Sequence, residues 1–228
     1  MNPHDPQVQD TLLKCLQSTA VCAKTMFPNR FRLPFSPKIH IPIFDFLDHN
    51  PAQFKVVAAP RGVGKTSIMA LVKPAKEILF RRYRFIMLVS KSATNAVFQA
   101  ENLKGELVGN HIIRSLFGPM ETDDFSRNRW QTRSGTMVYP RGAGQQVRGA
   151  LFKDYRPDLI LVDDLEDDKL VANEEQRKKL EEWFFASLLN CIGRSSPNTE
   201  VIVMGTVLHE GALLTKLLTD PACRREWA

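Results

Sequence analysis

The sequence predicts an α/β fold, a mostly parallel sheet with helices on both faces. Three observations predict it. Short, continuously apolar runs occur at Phe54–Ala59, Arg84–Val89, Asp158–Val162 and Glu200–Met204. Segments with helical periodicity alternate with them. The runs exit into small, polar or acidic residues, as strands do when a ligand sits at their carboxyl ends.

The elements follow in order. Residues 7–25 place Leu12, Leu13, Leu16, Ala20 and Val21 at helical spacing, which predicts one helix. Pro28, Pro34 and Pro37 forbid a helix, so Phe27–Pro37 reads as an extended arm. A short helix or turn is expected around Phe44–His49. Residues 1–50 are therefore set apart as a lid or docking segment, and 51–228 as the core domain. Within the core, Lys65–Leu79 follows the first strand as a helix. Thr94–Val108 follows the second and ends at Gly109-Asn110. The polar stretch 118–150 carries a predicted hairpin around Ser134-Gly135. Asn173–Leu189 reads as a long helix with Asn173 as its N-cap and Glu174-Glu175 on its first turn. A last helix is expected over 211–219.

Composition narrows the class. The chain has 228 residues, 43% apolar and 25% charged, which excludes wholesale disorder. No apolar run approaches the roughly 20 residues of a bilayer span. The opening Met1-Asn2-Pro3-His4-Asp5 is not a basic start followed by an apolar block, so no secretory signal is expected. The 4 cysteines (Cys15, Cys22, Cys191, Cys223) are scattered without a Cys-x-x-Cys and read as reduced thiols in a cytosolic setting. A net charge of +6 permits a polyanionic partner.

The most informative segment is Ala59-Pro60-Arg61-Gly62-Val63-Gly64-Lys65-Thr66, with Ser67 behind it. Apart from Ala59 in place of the first glycine, it fits the phosphate-loop pattern G-x-x-x-x-G-K-[ST]. Gly62 and Gly64 let the backbone curl so that N–H groups face phosphate oxygens, and the helix N-terminus adds its dipole. Lys65 is read as reaching the β- and γ-phosphates of ATP, and the Thr66 hydroxyl as a Mg²⁺ ligand. Arg61 is either a solvated loop charge or a cis-acting arginine near the γ-phosphate.

The third apolar strand ends in Asp163-Asp164. Asp163 is read as holding the Mg²⁺ shell and Asp164 as polarising the attacking water, with Glu166 the rival base. Asp167 and Asp168 are expected to cap or solvate the turn. The fourth strand exits at Gly205-Thr206, where Thr206 is read either as a contact to the water or γ-phosphate or as a simple turn residue. From Phe125 to Lys153 there is no Asp or Glu, while Arg127, Arg129, Arg133, Arg141, Arg148 and Lys153 are present. Such a stretch can track a phosphate backbone, or present an arginine to a neighbour's ATP. Arg148, beside Gly149, is the first choice for that arginine, ahead of Arg141 and Arg156. Arg81-Arg82-Tyr83-Arg84 is read as charge complementing a helix C-terminus rather than as a DNA contact.

Together, Ala59–Thr66, Val147-Arg148-Gly149, the run Tyr155-Arg156-Pro157-Asp158 through Asp163-Asp164-Leu165-Glu166-Asp167, Glu181-Glu182-Trp183-Phe184 and Met204–His209 resemble the large subunit of tailed-phage terminases. The resemblance spans roughly residues 38 to 220. It implies an additional-strand P-loop ATPase that drives double-stranded DNA into a procapsid, working in the cytoplasm of the infected host. It implies Lys65 and Thr66 on the nucleotide and Mg²⁺, Asp163 on the metal, Asp164 at the base position, Thr206 in the coupling motif, and Arg61 or Arg148 as arginine finger. The implied partners are a portal protein, a small terminase subunit and further copies of the chain in a homo-oligomeric ring. The second acid is Asp where relatives often have Glu, which leaves the base open. The family's C-terminal nuclease domain is expected to be absent from these residues, and with it DNA cleavage. The competing expectations are a nucleotide-gated docking switch on the portal and another RecA-like nucleic-acid ATPase.

Overall fold

A computed structural model describes residues 5–123, 126, 128–192 and 199–228. Phe125 and Arg127, counted above in the acid-free stretch, lie outside the described residues. A 6-stranded sheet has the order β1-β6-β5-β2-β4-β3. Its strands are β1 (Phe54–Ala58), β2 (Phe85–Ser90), β3 (Trp130–Gln131), β4 (Met137–Gly142), β5 (Leu159–Asp163) and β6 (Glu200–Gly205). All pairings are parallel except β3 with β4. β6 stands between β1 and β5, the inserted strand of the additional-strand class.

Side chains alternate across the sheet. Ile86, Leu88, Leu159, Leu161, Ile202 and Met204 face one apolar cluster, while Met87, Val89, Ile160, Val162, Val201 and Val203 face the other. Burial on both faces explains why these strands read as continuous apolar runs. The first cluster also takes in Cys15, Cys22, Met26, Phe44 and Leu47, so the N-terminal helices are packed onto the core. Cys15, Cys22 and Cys191 are buried free thiols, and Cys223 is half-buried.

Several elements differ from the sequence expectation. The single helix over 7–25 is two, α1 (Pro6–Gln17) and α2 (Thr19–Met26). Ser18 breaks them: its backbone is extended and its hydroxyl accepts from Val21 N–H as the α2 cap. Of the short helix or turn expected around Phe44–His49, the helix is present and starts earlier, as α3 (His40–His49). After the phosphate loop the helix widens to a π turn over Ser67–Val72 before α4 (Lys73–Leu79). Pro74 has no N–H to offer, and Lys73 N–H reaches back five residues to Ile68. α5 (Ala93–Gly109) is followed by a helix not anticipated, α6 (His111–Phe117), capped by Asn110.

The hairpin at Ser134-Gly135 is present, and its second strand, β4, is a further member of the parallel sheet beside β2. Gly142 ends β4 where α5 begins; a Cβ there would lie 2.2 Å from Ala93 N, so only glycine fits. Asp167 caps a short unforeseen helix, α7 (Asp168–Ala172). Asn173 caps α8 as expected, but α8 (Glu174–Trp183) widens to a π turn at Phe184 instead of running to Leu189. The last helix, α9, covers Leu213–Thr219. Among the described residues no helix is long and apolar enough to cross a membrane.

Candidate functional site

The carboxyl ends of β1, β5 and β6 converge on one cleft of about 360 Å³, lined by Arg61, Thr66, Gln99, Asp163, Asp164 and Thr206 among others. The phosphate loop curls there by local chemistry. Gly62 and Gly64 have φ of +83° and +75°, a region that side chains disfavour. The loop is pinned to the sheet from both sides. Ala59 N–H donates to Gly205 O at 2.9 Å, and the Thr206 hydroxyl donates to Ala59 O at 3.1 Å. Lys65 is buried, and its ammonium donates to Pro60 O at 2.9 Å and to Thr206 Oγ1 at 2.8 Å. Those partners hold a cation ready at the mouth of the curl.

The acids separate by environment. Asp163 is 2% exposed. Burial pushes its carboxyl up to about 6, while the nearby Thr66 hydroxyl and Gln99 draw it back. Gln99 Nε2 donates to Asp163 Oδ2 at 2.9 Å. The other oxygen, Oδ1, is buried and makes no hydrogen bond of ordinary geometry among the described residues. A buried, unsatisfied carboxylate oxygen next to a hydroxyl is a donor set suited to Mg²⁺, which takes one or two protein oxygens and fills its shell with phosphates and water. The residues present therefore fit the ion.

Asp164 adopts φ +42°, uncommon for a side-chain-bearing residue, and its N–H is fixed by Met204 O at 3.0 Å. Its side chain is 46% exposed, with Oδ1 4.0 Å from Lys65 Nζ. Glu166 is engaged elsewhere. Its two oxygens accept from Leu213 N–H (2.8 Å) and Leu214 N–H (3.0 Å), at the start of α9. The arginines also separate. Arg61 is on the loop and exposed, paired with Asp168 at 2.8 Å. Arg148 does not line the cleft; its guanidinium donates to Ala186 O, a carbonyl in the widened turn after α8. Arg141 lies over its own neighbour's ring, 3.4 Å from the Tyr139 centroid. Val63 contributes its carbonyl to His40 Nε2 at 3.0 Å, while His40 Nδ1 accepts from Ser36 N–H. The N-terminal arm thus braces the phosphate loop.

Sequence reasoning missed Gln99 and His40. Neither stands in a recognisable local pattern; each matters through a partner distant in the chain.

No protein-family model matches the chain, and no curated protein matches it in sequence. Among solved structures it is similar to the large terminase of bacteriophage HK97, with TM-score 0.54 and 14% identity over 85% of this chain. It is similar to S. cerevisiae Dbp5, solved with Nup159, Gle1, IP6 and ADP, with TM-score 0.50 and 14% identity over 92% of this chain. The chain spans 38% of the terminase's length and 50% of the Dbp5 chain's. At such identities the likeness shows the fold alone, a mostly parallel α/β sheet flanked by helices with β6 inserted between β1 and β5.

Proposed function

We propose that the chain is the ATP-hydrolysing motor domain of a viral DNA-packaging terminase. One observation carries the hydrolytic part: a buried Lys65, held by Pro60 and Thr206, lies 4.0 Å from a half-exposed Asp164 and beside the part-satisfied Asp163. The terminase part is supported by the likeness to the HK97 large terminase and by the motif runs described above.

In this reading, the loop from Ala59 to Ser67 cradles the triphosphate, with the N–H groups that follow Pro60 facing the phosphates, and Lys65 neutralises its terminal oxygens. Thr66 and Asp163 hold Mg²⁺, whose charge offsets that developing on the phosphate oxygens. Asp164 takes a proton from water as the water oxygen bonds to the γ-phosphorus and the bond to the β-bridging oxygen breaks. Its exposure favours it over Glu166, whose oxygens accept from the first N–H groups of α9. Thr206 joins Lys65 to β6 and so relays loss of the phosphate. The arginine finger is Arg61 in cis or, once its guanidinium leaves Ala186 O, Arg148 in trans. Double-stranded DNA, a portal protein, a small terminase subunit and a homo-oligomeric ring are the corresponding partners, in the host cytoplasm.

Calorimetry with Mg·ATPγS and a phosphate-release assay test this. The unaltered chain binds and hydrolyses; Lys65→Ala loses binding. Asp164→Asn keeps binding, and turnover falls by about 10²–10⁴-fold. No heat of nucleotide uptake by the unaltered chain would sink the reading. Full turnover in Asp164→Asn would remove Asp164 from its role.

A further inference from the structure

Basic segments far apart in the sequence meet at one edge of the sheet. β5, β2 and β4 are adjacent and parallel, so the residues preceding them gather at the amino edge, opposite the phosphate loop. Arg81, Arg82 and Arg84 precede β2, Arg133 precedes β4, and Lys153 and Arg156 precede β5; all are exposed. Neighbouring strands lie about 4.8 Å apart, so these strand starts span only about 10 Å.

Contacts tie the segments together. Met137 N–H donates to Arg84 O at 2.8 Å, and the Arg84 and Phe85 N–H groups donate to the Asp158 carboxylate at 2.9 and 2.8 Å. The Arg84 guanidinium stacks 4.3 Å from the centroid of Tyr155, itself 41% exposed. Arg81 and Arg133 line one recess of about 300 Å³.

The acids close by, Asp154 apart, are occupied. Asp158 holds backbone, and Glu77 and Glu200 are buried with Lys73 and Lys55, Arg82 lying 3.4 Å from Glu77. Glu121 pairs with Arg114 at 3.2 Å. Asp154 is the exposed acid on the intervening turn. The helix-dipole reading of Arg81-Arg82 covers only the end of α4; it does not account for Lys153, 5.3 Å from the Phe152 centroid, for Arg156, or for Arg133, whose Nε donates to Glu121 O at 3.5 Å.

We propose that this amino edge binds the phosphate backbone of duplex nucleic acid. A stacked, exposed guanidinium offers its donor fork to a phosphate with little ordering cost, and clustered cations gain from counterion release. The polyanion is identified through the motor reading; the surface itself stands on geometry. β2 and β5 run from this edge to Ser90 and Asp163 at the nucleotide cleft, so each strand carries the duplex contact at one end and the nucleotide contact at the other.

The test is fluorescence anisotropy of a labelled duplex across a salt series. The triple variant Arg84→Gln/Arg133→Gln/Arg156→Gln is compared with a charge-matched control, Lys14→Gln/Lys178→Gln/Lys179→Gln, whose lysines are exposed elsewhere. The edge variant is expected to lose at least about 10-fold in affinity, and its log–log salt slope to shrink by about 2–3. The control stays within about twofold. Equal binding by the edge variant and the unaltered chain overturns the proposal, as does an equal loss in the control or no duplex binding at all. Calorimetric binding of Mg·ATPγS, expected to be unchanged in the edge variant, separates this outcome from failure of the nucleotide site.

Discussion

Asp163 is an acid placed where acids are costly, and its neighbours decide whether it works. Burial raises its carboxyl to about 6, and the Gln99 amide is one of the groups holding it down. In the proposed site Asp163 binds Mg²⁺, for which its carboxyl must be ionised, so removing that donor raises the proton affinity and weakens the metal. Gln99→Leu is expected to lower Mn²⁺ affinity in the ATPγS complex by about 10-fold at pH 6.5. The loss at pH 8, where even a raised carboxyl is ionised, is smaller. Mn²⁺ titration followed by electron paramagnetic resonance reads this directly, and unchanged affinity at both pH values would remove Gln99 from the site. Asp164, one residue on, is held at φ +42° with its side chain half exposed, so adjacent carboxylates occupy different environments.

At the scale of elements, Glu166 and Ser18 show how single polar side chains satisfy the first N–H groups of a helix. Glu166 supplies both oxygens to the first N–H groups of α9, across 47 and 48 residues of chain. Glu166→Ala is expected to cost about 1–2 kcal/mol of stability while leaving turnover at saturating ATP in place. Thermal unfolding checks the first and phosphate release the second; loss of turnover with an unchanged melting temperature would make Glu166 the base after all. The π turns belong here too. The one after α8 leaves Ala186 O to accept from both Arg148 and Asn190, so the arginine expected to act on a neighbour's site is docked on a helix of its own chain.

For the molecule as a whole, the N-terminal helices are fastened to the core by buried charge as well as by apolar contact. Asp48 accepts from Lys76 at 2.6 Å and from Thr19 N–H at 2.6 Å, and Lys76 and Asp48 side chains are 1% and 2% exposed. Asp48→Ala strands a buried ammonium and is expected to cost about 3–5 kcal/mol, with much of the loss restored when Lys76→Met is added. Urea unfolding of the single and double variants measures both; an unchanged midpoint in Asp48→Ala would show that the pair contributes no net stability. The same docking carries His40 to Val63 O, so loosening α3 is felt at the phosphate loop.

What the sequence determined by itself was local. The four core strands, most helices, the cap Asn173 and the curl at Gly62 and Gly64 follow from residues within a few positions of one another, because propensity, capping and φ preference act over that range. What the tertiary structure decided was every choice between similar side chains. Asp164 is left half exposed beside Lys65 and Glu166 is engaged because β6 leads into α9 beside β5. Gln99 holds Asp163 across 64 residues because α5 packs over the sheet, and arginines from separate segments share an edge because β5, β2 and β4 are neighbours. Strand order fixes those meetings, and it is set by which apolar faces bury one another, a property of the whole chain that no local run of residues encodes.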